Sequence, residues 1–199
     1  EGGKIKALAD NVLRIYKEKP GTTQMIFSDS GVAPNAWGFH LYGEIINKLV
    51  EGGIPADKII NFSKMDTDAK VAKAQDRLNS GDAVIAIGHR ENMGTGINAQ
   101  QKMAAIHQFD VPWKPALVEQ SEARGWRQGN ENKEIEILSY VTEGSFDAIK
   151  WSTVARKQQA ITAFMQKPQE GQARELEDAD DDALSYDQIA AAASGDGDY

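Results

Sequence analysis

The chain has 199 residues, 41% of them hydrophobic, no cysteine and a formal net charge of −8. That length suits one domain of roughly 150 residues with an appendage, and the lack of cysteine excludes disulfides, zinc–thiolate sites and thiol nucleophiles. No apolar run approaches the ~20 residues of a bilayer span, and the N-terminus lacks the basic-then-apolar pattern of a secretory signal. The expectation is a cytoplasmic protein with no membrane partner. The acidity is local: residues 169–199 hold ten acids and one arginine, leaving 20 acids and 21 bases in residues 1–168. Bulk charge therefore neither demands nor forbids a polyanionic partner, because local patches decide phosphate binding.

In chain order, Ile5, Leu8, Val12 and Ile15 recur at helical spacing until Lys19-Pro20-Gly21 ends the pattern. Residues 24–29 form a short apolar run with polar residues at its end, a buried strand. A loop over 30–37 leads to a helix over 38–50, closed by Gly52-Gly53, and residues 58–63 make the second strand. Asp66-Thr67-Asp68 can cap a helix to about Leu78, stopped by Ser80-Gly81. Residues 83–88 are apolar throughout, as in a strand covered on both faces. Strands over 104–110 and 134–141, a helix over 115–126 and a long helix over 145–165 complete the body. Strand and helix alternate throughout, which predicts an α/β fold with a parallel sheet between helices. In such sheets functional groups gather at the carboxyl ends of the strands. Residues 1–167 are read as one domain, and the acidic stretch 168–199 as a flexible tail or linker.

Three stretches carry chemistry. In residues 120–129, Gln120, Arg124 and Arg127 share one face if the helix is continuous. Two arginines a turn apart repel each other unless an anion or a carboxylate (Glu119, Glu122 or Glu131) lies between them, and spacing alone allows either. Residues 88–98 hold Gly88, Gly94 and Gly96 directly after an apolar strand, where backbone N–H groups can approach a phosphate. Asp110 and Trp113 sit in a proline-stiffened turn just before the arginine segment. The three histidines have no metal-ligand spacing, so no metal site is expected, and His107 reads as a core group.

The order of these stretches resembles the C-terminal RecA-like lobe of superfamily 2 helicases and translocases, in the Snf/remodeller-like branch. The nearest likeness is to the helicase segments of large methylase–helicase and phage antirestriction proteins. Residues 24–29 resemble that family's fourth motif, Met93-Gly94-Thr95-Gly96-Ile97-Asn98 the fifth, and Gln120-x-x-Ala123-Arg124-x-x-Arg127 the sixth, with Ala123 where the family prefers glycine. Asp110-x-x-Trp113-x-Pro115 and residues 140–147 resemble its connecting segments, so the likeness spans residues 5–167.

The resemblance implies that Arg124 and Arg127 act as arginine fingers on ATP held, with Mg, by a first RecA-like lobe, with Gln120, Gly96 and Asn98 lining the cleft. It further implies that Ser28, Ser63, Gly88, His89 and Arg90 face the backbone of DNA, or equally of RNA. His89-Arg90 stands where relatives often carry a Ser/Thr pair. The sequence contains no Gly-x-x-x-x-Gly-Lys-Ser/Thr loop and no acidic magnesium-binding pair. The expectation is that this polypeptide alone does not hydrolyse ATP. The competing reading is a non-catalytic RecA-like module that only docks a protein partner.

Overall fold

Local patterning accounts for each element of the computed structural model, which describes residues 3–30, 40–94, 97–112 and 115–142, and a few positions between 145 and 161. Helix α1 (Lys4–Glu18) turns Leu8, Ala9, Val12 and Ile15 inward, and Gly21 at φ 78° reverses the chain into β1 (Thr23–Phe27). His40 opens α2 (Leu41–Glu51) by accepting the Gly43 N–H on its ring nitrogen. Strand β2 (Ile59–Asn61) is shorter than the predicted 58–63, because Phe62–Lys64 curls into a single 3₁₀ turn. Thr67 caps α3 (Asp68–Ser80), and Gly81 at φ 80° ends it.

Strand β3 (Ile85–Gly88) is followed by a one-turn helix, α4 (Arg90–Gly94), which the glycine-rich pattern had not predicted. Strand β4 (Met103–Gln108), helix α5 (Pro115–Glu122) and strand β5 (Glu136–Ser139) follow. The five strands are all parallel, in the order β2-β3-β1-β4-β5. The predicted α/β architecture is therefore observed. Because the sheet is covered on both faces, side chains alternate between two cores. Ile26, Ile85 and Ile87 meet Leu8, Val12, Tyr42, Ile45 and Leu49 of α1 and α2. Met25, Phe27 and Ala86 meet Ala74 and Leu78 of α3 together with Met93 and Ile97.

The chain divides into two compact units, residues 1–110 with 117–140, and residues 111–116 with 141–199. The sheet lies wholly in the first. Most of the predicted helix over 145–165, and the acidic stretch after it, lie outside the described residues.

His107, buried near the end of β4, is held by a chain of hydrogen bonds. The Gln24 amide donates through Nε2 to the Val12 carbonyl, so its Oε1 faces His107 Nε2 at 2.9 Å. Nε2 must then carry the proton, leaving Nδ1 to accept from the Tyr140 hydroxyl at 2.8 Å. Complete burial holds the imidazole at a pKa of about 3, so it is neutral, and burial likewise pushes Tyr140 up to about 12. The reading of His107 as a satisfied core group agrees with these contacts.

Candidate functional site

The carboxyl ends of β3, β1 and β4 lie side by side in the sheet, and ligand crevices of such sheets form at that edge. Arg90 joins the residues that follow these strands. The residue is 3% exposed, and its guanidinium donates through Nη1 to Asp29 and, at 2.7 Å, to Asp110 Oδ1, and through Nη2 to Gln108 Oε1 and the Asp110 carbonyl. Asp110 Oδ2 also accepts the N–H groups of Asp29 and Ser30 at 2.7 and 2.9 Å and the Ser28 hydroxyl at 3.0 Å. Burial alone would raise this carboxyl. The Arg90 guanidinium and the converging donors outweigh it and hold the group below the usual carboxylate range. Tyr42 closes the cluster by donating to the Ser28 carbonyl, and burial raises its phenol.

The residues expected to face a nucleic-acid backbone therefore gather at one edge but differ in access. Arg90 is turned inward and spent on two carboxylates. Ser28 is buried. Ser63 is half-buried, with its hydroxyl on Asn61 Oδ1 at 2.7 Å. His89 keeps its side chain 25% exposed, with Nδ1 3.8 Å from Asp29 Oδ1. Gly88 has a packing reason to be glycine, since a Cβ there would lie 2.9 Å from the Phe62 Cβ and 3.1 Å from Met93.

The arginine pair lies at the opposite edge. Helix α5 stops at Glu122, short of the predicted residue 126, and residues 123–126 form turns. Gly125 suits the stop: a Cβ there would lie 2.7 Å from Ile135 Cδ1 and 3.2 Å from Ile106 Cδ1, and Asn130 Nδ2 donates to its carbonyl at 3.0 Å. The expected common face of Gln120, Arg124 and Arg127 is thereby broken. Gln120 and Arg127 are exposed, whereas Arg124 is 2% exposed.

Arg124 Nη1 donates to the Ile97 carbonyl at 2.6 Å, and Arg127 Nη1 to Asn98 Oδ1 at 3.2 Å. Ile97 and Asn98 precede β4, and the Asn98 carbonyl accepts from Asn79 near the end of α3, so this cluster sits at the amino ends of the strands. The arginines thus lie away from the carboxyl ends of the strands, because a helix following a parallel strand runs back toward that strand's start. The length of β4, about 17 Å at ~3.3 Å per residue, separates the two edges.

No ion pair joins Arg124 or Arg127 to a carboxylate among the described residues. Glu131 lies 3.9 Å from Lys102 instead. Burial, and then the charge of Arg127, bring Arg124 down to a pKa of about 10. Its Nε is buried without a hydrogen-bond partner. Trp126, between the two arginines, is 61% exposed. Gly96 lies outside the described residues, as do Trp37, Trp113 and Trp151.

No family model matches the chain. It is similar to the Defense against restriction protein B of Escherichia phage P1, 27% identical over an alignment of 138 residues that covers 57% of this chain and 6% of the phage protein. Among solved structures, it superposes on the C-terminal part of the Fun30 ATPase domain with a TM-score of 0.61 and 21% identity, over 75% of this chain and 44% of that one. The Escherichia coli DEAD-box protein SrmB, solved bound to the regulator of ribonuclease activity A, gives 0.56 and 17%, over 84% of each chain. The helicase MrfA, solved bound to DNA, gives 0.52 and 16%, over 81% of this chain and 21% of that one.

The chain has the RecA-like fold of a helicase lobe. The lobe spans less than half of the Fun30 and MrfA chains and a small fraction of the phage protein. Among its described residues no helix is long and apolar enough to cross a membrane. Three residues of the lobe's polar clusters went unnoticed in the sequence: Tyr42, Gln108 and Ser121. Gln108, a polar residue closing an apolar strand, was the visible signal. Nothing local marks Tyr42 or Ser121.

Proposed function

We propose that this lobe is the second half of an ATP-driven translocase acting on DNA, and that its amino-edge arginines complete a nucleotide site whose phosphates and Mg are held by a first lobe. The observation that carries the reading is Arg124, a buried guanidinium with a bare Nε, no carboxylate partner among the described residues and a second arginine beside it. A cation desolvated in this way is unfavourable until an anion arrives. The chemistry of the site fits a polyphosphate.

The two arginines take different parts. Arg127 is exposed and lightly held by Asn98, so it is the group free to meet charge developing on a transferred phosphoryl. Arg124 is a positioning residue whose bond to the Ile97 carbonyl keeps Asn98 in reach of Arg127. Gln120 is exposed but no longer shares a helical face with the two arginines, so it is given no part in the nucleotide site. The opposite edge, through His89 and the Ser63 hydroxyl, would meet the sugar–phosphate backbone, where contacts are largely independent of sequence. MrfA, which shares the fold, was solved on DNA, and this favours DNA over RNA as the track.

The test is steady-state ATP hydrolysis by a polypeptide that carries both lobes. Arg127→Ala should lower kcat by at least ~10³-fold with nucleotide affinity little changed, the range associated with arginine fingers. A variant within tenfold of the parent would exclude the role.

A further inference from the structure

Two buried polar residues end β4, and they are used differently. His107 belongs to the chain described above. Gln108, 0% exposed, joins two other elements. Its Oε1 accepts from Arg90 Nη2 at 2.8 Å and its Nε2 donates to Ser121 Oγ at 2.6 Å, and that hydroxyl donates onward to the Val118 carbonyl at 2.7 Å. The direction is forced at each step. A guanidinium can only donate, so the amide oxygen must face it, the amide nitrogen must face Ser121, and the hydroxyl proton has one acceptor left.

The far end of Arg90 holds Asp29, whose side chain is 39% exposed at the carboxyl edge. Ser121 lies three residues before Arg124, and the backbone between them is tied by Ala123 N–H to Glu119 O at 2.8 Å and Gly125 N–H to Glu122 O at 3.0 Å. A continuous run of charge-assisted and neutral hydrogen bonds thus leads from Asp29, beside His89, to Ser121 of α5, and the chain itself carries on from Ser121 to the arginine pair. Burial gives such a run its stiffness, since a broken bond leaves an unsatisfied group with no water to replace it.

We propose that Asp29, Arg90, Gln108 and Ser121 form a positioning relay that sets the seat of α5 according to the state of the carboxyl edge. Its use rests on the reading above, in which that edge meets nucleic acid and Arg127 meets ATP. A phosphodiester beside the exposed Asp29 repels the carboxylate and loosens its hold on Arg90. Gln108 and Ser121 follow Arg90, and Arg124 and Arg127 follow Ser121. Hydrolysis is then coupled to occupancy of the track by residues that touch neither ligand.

The relay can be tested on this chain without nucleic acid. In the ¹⁵N-labelled protein, Asp29→Asn perturbs one end, and the Nε–H resonance of Arg124 reports the other. Asp29→Asn should shift that resonance, and in a Ser121→Ala background the same change should move it by less than about half as much, the non-additivity expected of coupled sites. No shift, or an equal shift in both backgrounds, would overturn the proposal. Gln108→Leu, which cuts the run at its centre, should suppress the same shift, and Ser121→Ala, which removes only one hydroxyl, carries the test if that variant does not fold. In a polypeptide with both lobes, Ser121→Ala should keep the basal rate and duplex affinity while losing roughly fivefold or more of the stimulation by a 20-base-pair duplex, within the usual range of coupling between sites. Unchanged stimulation would refute the relay's role, whereas an unaffected rate in Arg127→Ala would refute the nucleotide reading and leave the Asp29–Ser121 coupling standing.

Discussion

Arg90 and Asp110 meet inside the carboxyl edge of the sheet, with Nη1 2.7 Å from Oδ1, and each is also bound by groups from the end of β1. The pair ties the ends of three strands. Asp110→Asn keeps the shape but removes the charge and offers only one acceptor oxygen to four donors. It should destabilise the lobe by about 3–5 kcal/mol, the cost of breaking a buried pair on one side, measured by urea unfolding at neutral pH. Because the folded pKa of Asp110 is lowered, its contribution is present above the unfolded value near 3.8 and is lost as pH falls through the folded one.

His107 gives the lobe a separate pH dependence. Its folded pKa of about 3 lies below the ordinary 6.5, so the unfolded chain binds a proton that the folded one refuses. Stability from this group is complete above pH 6.5 and falls as pH drops toward 3. At pH 5 the loss should be about 2 kcal/mol, at ~1.4 kcal/mol per pH unit. Urea unfolding at pH 7.5 and 5.0 measures it, and the slope between pH 6.5 and 5 should flatten in His107→Gln.

Gly88→Ala places a Cβ 2.9 Å from the Phe62 Cβ, which cannot swing away as a side-chain tip could. Thermal unfolding should show a loss of about 1–3 kcal/mol, typical of overpacking. The variant would be stable again if the glycine served only to admit a phosphate.

Arg127→Ala and Trp126→Ala alter exposed side chains. Each should leave the unfolding free energy within about 0.5 kcal/mol of the parent, so a loss of hydrolysis in Arg127→Ala would reflect chemistry. A large drop in the unfolding midpoint of either would mean that its side chain packs into the core.

The alternation of apolar runs and amphipathic stretches was enough to predict the parallel sheet, because burial on both faces demands near-continuous hydrophobicity in each strand and a single apolar stripe on each helix. The order of the motifs likewise points to the RecA-like fold of a helicase lobe. Tertiary structure alone decided where the polar groups point. Periodicity carries α5 on to Trp126, whereas the helix ends at Glu122, and Gly125 follows where a Cβ would strike Ile135 and Ile106. Which arginine is buried depends on a carbonyl 27 residues away in sequence, at Ile97. Arg90 turns inward because Asp29 and Asp110, from two other strands, converge on it. Such partners are set by long-range register between strands, which no local window of sequence contains.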